Sequence, residues 1–244
     1  MNVKDTYINY VQYGNDDGKD IVLLHGWGQN IEMMDPIGRR LQDDFRITII
    51  DFPGFGKSPE PPYAFTVYDY YEALDELLTK LNVTNPILIG HSFGGRISMI
   101  YASRKATSKL ILLGAPFRRS NKKANMKLQI LKAMKKVPVV RHLEGYMKKH
   151  MGSRDYRNAT PVMRQVLVNV INENLSECLP KIKASTILIW GSNDAEVPLD
   201  EAKYMESVIK DCGLIVYEGC THYAYLERLD QTVNILNEFL KDVK

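Results

Sequence analysis

The stretch that most constrains the fold is an apolar run that ends in Gly-x-Ser-x-Gly and continues directly into a segment with helical spacing. Residues 87–89 are predicted to form a short strand buried on both faces, and residues 94–103 carry small and apolar side chains at helical spacing. A strand that passes straight into a helix must turn sharply, and Gly90 and Gly94 leave room for the turn because they have no Cβ. Ser92 would then lie at the tip of the turn as an exposed nucleophile.

Predicted strands and helices alternate on both sides of this stretch. Strands are predicted over residues 6–13, 20–24, 46–50, 87–89, 109–114, 186–190 and 213–217, and helices over 31–44, from 66 onward, 94–103, 200–211 and 225–243. Such alternation is typical of parallel strands with helices on both faces of the sheet. We therefore predict one α/β domain with a mostly parallel sheet, for which 244 residues supply a sufficient core.

The alternation stops between Pro116 and Pro180, where two helices are predicted with no strand between them. The first covers residues 121–136 and the second covers residues 161–175, where Thr160 can cap a helix that has proline at its first position. The predicted buried stripe of the second helix consists of Val162, Val166, Leu167, Val170 and Ile171. We interpret residues 116–180 as an inserted helical cap, and residues 1–115 and 181–244 as the α/β core.

Basic charge is concentrated in this insertion. Residues 116–180 contain fourteen Lys and Arg against four Asp and Glu, a net charge of +10, which leaves −7 for the rest of a chain whose total is +3. Nucleic-acid binding is not predicted, because the segment has no recognised binding motif and few interleaved aromatic residues. A solvated helix face is the simpler interpretation; a preference for anionic substrates or for an anionic membrane surface remains open.

Other features of the sequence indicate where the protein is located and whether it uses a metal or a cofactor. The first six residues contain no signal-peptide core, and no apolar run is long enough to span a membrane. Three cysteines without a Cys-x-x-Cys pair indicate free thiols rather than a disulfide framework or a zinc site. Phosphate-binding and dinucleotide-binding glycine motifs are absent from the sequence. We expect a soluble cytoplasmic protein, either monomer or homodimer, without a metal or a cofactor.

Two residues downstream can complete a site around Ser92. A serine hydroxyl is a weak nucleophile unless a histidine accepts its proton and a carboxylate orients that histidine. His222 and Asp194 each follow a predicted strand, and the carboxyl ends of parallel strands lie at one edge of the sheet. We therefore predict that Ser92, Asp194 and His222 converge there, with Glu196 as the alternative carboxylate.

With these motifs the chain resembles the α/β-hydrolase-fold serine hydrolases of the esterase and lipase-like superfamily, which place Ser, Asp and His in the same order. The matching motifs are His-Gly-Trp-Gly at 25–28, Asp-x-Pro-Gly-x-Gly-x-Ser at 51–58, Gly-His-Ser-Phe-Gly at 90–94, Gly-Ser-Asn-Asp at 191–194 and the turn at 222. The resemblance implies an oxyanion hole made by the backbone N–H groups of Trp27 and Phe93. The 51–58 loop, His25 and His91 are interpreted as structural supports.

The resemblance also suggests substrate contacts. An apolar helix face made by Met126, Ile130, Leu131 and Met134 would close over the acyl or alcohol part of a substrate, or else pack on the sheet. Arg96 occupies the place at which menaquinone-pathway synthases of this superfamily hold an arginine that meets a substrate carboxylate; pairing with a neighbouring acid is the alternative.

The function that these features favour is hydrolysis of small or medium carboxylic esters through an acyl-enzyme. Two alternatives stay open. One is a carbon–carbon bond hydrolase or lyase of the same fold, and the other is a ligand receptor or signalling partner that keeps the fold without turnover.

Overall fold

A seven-stranded sheet forms the centre of the protein in the computed structural model, which describes residues 1–4, 6–119 and 159–243. Its strands are β3 (Asn9–Gly14), β4 (Lys19–Leu24), β5 (Phe45–Asp51), β6 (Ile87–His91), β7 (Lys109–Leu113), β8 (Ser185–Gly191) and β9 (Cys212–Tyr217), in the spatial order β3-β5-β4-β6-β7-β8-β9. Strand β3 runs antiparallel to β5, and every other neighbouring pair is parallel. The predicted, mostly parallel sheet is confirmed.

Helices cover both faces of this sheet, as predicted. They are α1 (Ile31–Leu41), α2 (Val67–Lys80), α3 (Phe93–Arg104), α4 (Pro161–Asn172), α5 (Leu199–Val208), α6 (Ala224–Glu227) and α7 (Leu229–Phe239). Because successive strand residues face opposite sides, Ile21 and Leu23 of β4 belong to the apolar layer that includes α1 and α7, whereas Val22 and Leu24 belong to the layer that includes α2, α3 and α5. An apolar layer therefore packs against each face of the sheet.

The amino-terminal strand predicted over residues 6–13 is divided in two. Strand β1 (Asn2–Val3) pairs with β2 (Thr6–Tyr7), and β3 begins only at Asn9. The break falls at Ile8, whose backbone N–H and C=O both bond to Met1 while its side chain is fully buried. The chain thus changes its hydrogen-bonding partner from its own terminus to β5 at this residue.

Helix α4 starts as predicted but presents a different face. The Thr160 hydroxyl accepts a hydrogen bond from Met163 N at 3.3 Å, and Pro161 occupies the first turn. Ile171, predicted to belong to the buried stripe, is 41% exposed, whereas Met163 is buried against the core. The prediction for Ile171 was wrong, since the stripe is centred on Met163, Val166 and Val170.

Several predicted helix ends differ from the structure. Helix α1 ends at Leu41 rather than at residue 44, and α4 ends at Asn172 rather than at residue 175. Helix α5 stops at Val208, because the extended Ile209 turns its side chain into the core before β9 begins. The closing helix predicted over 225–243 consists of α6, α7 and a short 3₁₀ turn, Lys241–Val243, and it is interrupted at Arg228, whose φ of −125° and ψ of 46° are not helical.

Between β7 and β8 the described residues contain α4 and a 3₁₀ turn, Leu179–Lys181, but no strand. The helix predicted over 121–136 lies outside the described residues, so the domain division into core and cap stays a prediction. No helix among residues 1–4, 6–119 and 159–243 has the length and apolar character needed to cross a membrane.

The strand order creates a crevice at one edge of the sheet. From β4 the chain proceeds to β5 on one side, whereas β6 is the neighbour of β4 on the other side. Ligands of open α/β sheets bind where the strand order reverses, outside the carboxyl ends of the strands. The loops that follow β4, β6, β7, β8 and β9 all leave the sheet at this edge.

Candidate active site

Ser92 lies in a sharp turn between β6 and α3. Its backbone has φ 47° and ψ −107°, and its N–H bonds to Leu113 O at 2.9 Å. A Cβ on Gly90 would lie 2.5 Å from Ser98 Oγ, and a Cβ on Gly94 would lie 2.3 Å from Leu24 O. The expectation that both glycines make room for the turn is therefore confirmed, and the reason is close packing against α3 and β4.

Asp194 and His222 form a buried hydrogen-bonded pair. Asp194 Oδ2 lies 2.8 Å from His222 Nδ1, and the two side chains are 1% and 6% exposed. The other oxygen, Oδ1, accepts hydrogen bonds from Glu196 N and Val197 N, each at 2.8 Å. Because an ionised carboxylate can only accept, His222 Nδ1 carries the proton and Nε2 is left as a base. Glu196, the alternative carboxylate, is exposed and not in contact with His222.

The loops after β8 and β9 hold this pair by bonding to each other. Asn193 N donates to Cys220 O at 2.9 Å, and the two loops approach so closely that a Cβ on Gly191 would lie 2.2 Å from Cys220 O. Gly114, after β7, faces the pair, since a Cβ there would lie 3.1 Å from His222 Nδ1. Small residues in neighbouring loops therefore make the space for the imidazole.

A cavity of about 280 Å³ opens beside Ser92. Its apolar lining consists of Trp27, Phe93, Pro116, Leu167, Val170, Ile171, Val197 and Pro198, and its polar lining of Ser92, Arg96, Arg118, Arg119, Glu196 and Glu201. Asp194 and His222 are not among the residues of its wall. The Ser92 hydroxyl makes no hydrogen bond to any described residue, His222 included; such contacts are often long in proteins without bound substrate.

Two backbone donors belong to residues of this cavity wall. No described residue accepts a hydrogen bond from Trp27 N or Phe93 N, and both residues line the cavity beside Ser92. The loop that contains Trp27 is fixed to the start of α3, because Gly94 N donates to His25 O at 3.0 Å. Two unpaired N–H groups on rigid elements are what the stabilisation of an oxyanion requires.

His25 and His91 are fully buried and contact the backbone, as expected. His25 Nε2 accepts a hydrogen bond from Phe52 N at 3.0 Å, and burial lowers the pKa of His25 to about 4. His91 Nε2 lies 3.2 Å from His222 O, and burial, together with the nearby His222 ring, lowers the pKa of His91 to about 3. Burial therefore favours the uncharged form of both rings.

Arg96 is 3% exposed and donates from its two Nη atoms to backbone carbonyls, those of Pro116 at 2.9 Å and Glu173 at 2.7 Å. Its Nε–H has no acceptor among the described residues, and burial lowers the pKa of the guanidinium to about 10. Within the described part of the chain the hydrogen-bond partners of Arg96 are two backbone carbonyls of the predicted insertion, and Glu173 is also the nearby acid that acts on its charge.

The remaining predicted substrate contacts, Met126, Ile130, Leu131 and Met134, lie outside the described residues. Sequence reasoning missed the part of the cavity wall made by α4, by the residues after β7 and by the start of α5, including Arg118, Arg119 and Glu201. No motif marks these residues. Among residues 1–4, 6–119 and 159–243, no group of three or more metal-ligating side chains is found.

Comparison with known proteins agrees with this architecture. The sequence model of a family described as alpha/beta hydrolase fold matches residues 20–138. The chain is 25% identical to the AB hydrolase superfamily protein YisY of Bacillus subtilis over 91% of each chain. It is also 25% identical to a 2-hydroxy-6-oxo-6-phenylhexa-2,4-dienoate hydrolase of Comamonas testosteroni, over 98% of this chain and 93% of that protein.

A solved structure with the same fold is an esterase from Exiguobacterium antarcticum. It superimposes with a TM-score of 0.77 at 24% identity, over 98% of this chain and 97% of the esterase. This likeness shows the fold.

Proposed function

Because the chain belongs to the α/β-hydrolase superfamily, we propose that this hydrolase cleaves small or medium carboxylic esters through Ser92, His222 and Asp194. The observation that carries the proposal is the buried Asp194–His222 contact of 2.8 Å, at the same sheet edge as a serine in a strained strand-to-helix turn. The apolar cavity beside Ser92 would receive the substrate.

The proposed reaction uses groups whose protonation follows from their hydrogen bonds. His222 Nε2 removes the proton from Ser92 Oγ, which attacks the ester carbonyl carbon. The N–H groups of Trp27 and Phe93 then stabilise the oxyanion, each by about 3 to 4 kcal/mol. His222 returns the proton to the leaving alcohol, and water releases the acyl group from Ser92 by the same steps.

Asp194 contributes by fixing the histidine tautomer. Its Oδ2 can only accept from Nδ1, which keeps Nε2 free of a proton, while the bonds from Glu196 N and Val197 N prevent the carboxylate from rotating. The predicted cap over residues 116–180 would complete the pocket, and α4 is the described part of it that lines the cavity.

The test replaces the nucleophile and compares it with another serine of the same helix. We expect Ser92→Ala to lower kcat on p-nitrophenyl esters from acetate to laurate by about 10⁴-fold or more. Ser103→Ala, at the other end of α3, should retain full turnover. A fluorophosphonate should label the wild type on Ser92, as identified by peptide mass spectrometry. Ester turnover by Ser92→Ala at the wild-type rate would exclude Ser92 as the nucleophile.

A carbon–carbon bond hydrolase is the second candidate, because proteins named as hydrolases of 2-hydroxy-6-oxo acids are as similar to the chain as the esterases are. The same serine, histidine and oxyanion donors would act on a ketone in place of an ester. Inert esters together with a fluorophosphonate-labelled Ser92 would favour this candidate. Ligand binding with no turnover of either substrate class would favour a receptor.

A further inference from the structure

The side chain of Arg118, in the cavity wall, is held in place by two aromatic rings. Its guanidinium carbon lies 4.8 Å from the centre of the Phe117 ring and 5.3 Å from that of Tyr204. These two rings are stacked on each other, with centroids 5.1 Å apart and planes 13° from parallel. Contact with aromatic rings restricts the orientation of a guanidinium and weakens its hydration.

Glu201 fixes Arg118 from one side only. Arg118 Nε lies 3.1 Å from Glu201 Oε1 and 3.2 Å from Oε2, and Glu201 is buried in the first turn of α5. A guanidinium has five N–H donors, of which four belong to the Nη atoms. In the part of the chain that the structure describes, no acceptor meets the Nη atoms of Arg118. Among the described residues, this fork is therefore oriented without an acceptor on its Nη atoms.

The surrounding charges favour an anion at this place. Arg96 and Arg119 line the same cavity, and the only described partner of Arg119 is a neutral amide, Asn172 Oδ1, at 2.8 Å. The Arg96 Nε–H is buried and meets no acceptor in residues 1–4, 6–119 and 159–243. Two carboxylates, Glu196 and Glu201, also line the cavity, but Glu201 is already paired with Arg118.

We propose that this cavity selects substrates that carry a carboxylate group, and that Arg118 is the specificity-determining residue. A carboxylate matches the two parallel N–H bonds that a guanidinium fork offers. The apolar side chains of α4, Leu167 and Val170, would contact the hydrocarbon between this carboxylate and the reacting carbonyl. This inference rests on the proposed ester hydrolysis, because it names the class of ester.

Two pairs of esters of nearly equal shape test the selection. Monoethyl succinate and ethyl levulinate differ by a charge on the acyl side, and 4-acetoxybenzoate and 4-acetoxybenzamide differ by a charge on the alcohol side. Arg118 is 45% exposed, so solvent screens its attraction. We expect wild-type kcat/KM to favour the anionic member of at least one pair by about tenfold, the effect of one charge-assisted hydrogen bond near a surface.

Variants locate the effect. Arg118→Gln leaves Glu201 buried without its partner, so the double variant Arg118→Gln/Glu201→Gln is tested beside it. In both variants the ratio of kcat/KM between the anionic and the neutral ester should fall to about one, because KM rises for the anionic ester. Arg104→Gln is the matched control, because Arg104 also lies over aromatic rings, those of Tyr68 and Tyr71, but does not line the cavity. It should keep the preference.

The outcomes separate this inference from the proposed function. If wild type hydrolyses both members of each pair equally while Ser92→Ala hydrolyses neither, ester hydrolysis stands and the carboxylate subsite is overturned. If no ester is turned over, thermal shifts of Ser92→Ala with monoethyl succinate and ethyl levulinate still decide the matter. A shift produced only by the anion and lost in the double variant supports the subsite, whereas equal or absent shifts overturn it.

Discussion

Ser92 is held in a backbone conformation that non-glycine residues rarely adopt. Its φ of 47° is positive, and such a conformation costs about 1 to 3 kcal/mol and persists only where its surroundings impose it. The surroundings do so here, because Ser92 N is bonded to Leu113 O and Ser92 O accepts from Arg96 N. The result is a side chain that lines the cavity, although its neighbours in sequence, His91 and Phe93, are buried.

Gly94→Ala tests how tightly this turn is packed. The added Cβ would lie 2.3 Å from Leu24 O, which belongs to the central strand β4 and cannot move without disturbing the sheet. We expect a loss of about 1 to 3 kcal/mol in the free energy of unfolding, measured with urea, because overpacking forces backbone shifts. Activity should also fall, since Gly94 N anchors the loop that contains Trp27.

Gly213→Ala is the matched control for this substitution. An added Cβ at Gly213, in β9, meets no atom within 4 Å. The free energy of unfolding of the Gly213→Ala variant should change by no more than about 0.5 kcal/mol, as for most unconstrained surface positions. Equal stability and activity of the two alanine variants would contradict the tight packing at Gly94.

At the level of elements, the Asp51 carboxylate joins the end of β5 by hydrogen bonds to the start of α1, to β3 and to the 51–58 loop. Its Oδ1 accepts a hydrogen bond from Ile31 N, at the start of α1, at 2.8 Å. Its Oδ2 accepts from Lys57 N at 2.9 Å and from Asn9 Nδ2, on β3, at 2.8 Å. The carboxylate is 2% exposed and lies at the positive end of α1. This agrees with the interpretation of the 51–58 loop as a structural support.

Asp51→Asn should therefore destabilise the protein although the shape of the side chain is preserved. An amide has one oxygen, so its NH₂ would face either Ile31 N or the two donors Lys57 N and Asn9 Nδ2, and at least one donor would be left unsatisfied. We expect a loss of about 1 to 3 kcal/mol in unfolding free energy. Asp17→Asn, on an exposed turn, serves as the control and should be neutral. A stable Asp51→Asn variant would show that the loop does not depend on this charge.

Elements that depend on interactions between residues close in sequence are predicted well from the sequence. The start of α4 at Thr160 and the sharp turn at Ser92 follow from capping and from glycine placement. The sequence predicts poorly what depends on distant contacts: Ile171 is exposed because α4 packs through Met163, and Arg118 is oriented by Glu201 and Tyr204, more than 80 residues away. Such contacts leave no periodicity in the sequence, which explains why the cavity wall was missed.

For the molecule as a whole, two buried neutral histidines link stability to pH. Burial lowers the pKa of His25 to about 4 and that of His91 to about 3, whereas the unfolded chain binds these protons near the ordinary value of 6.5. Below pH 6.5 the unfolded state therefore holds more protons than the folded state. Stability is complete above that pH and is lost as the pH falls towards the folded pKa values.

The unfolding free energy should consequently fall by about 2 kcal/mol per histidine between pH 7 and pH 5. Replacing His91 by Gln removes one of the two titrating groups, and an amide can still donate to His222 O. Urea unfolding of wild type and His91→Gln at pH 7, 6 and 5 measures the difference between their free energies of unfolding at each pH. The contributions of the other titrating groups cancel in this difference. The variant should be less stable at pH 7 but lose less stability on acidification. Parallel pH profiles would mean that His91 accepts a proton in the folded protein as easily as in the unfolded chain, against its complete burial beside His222.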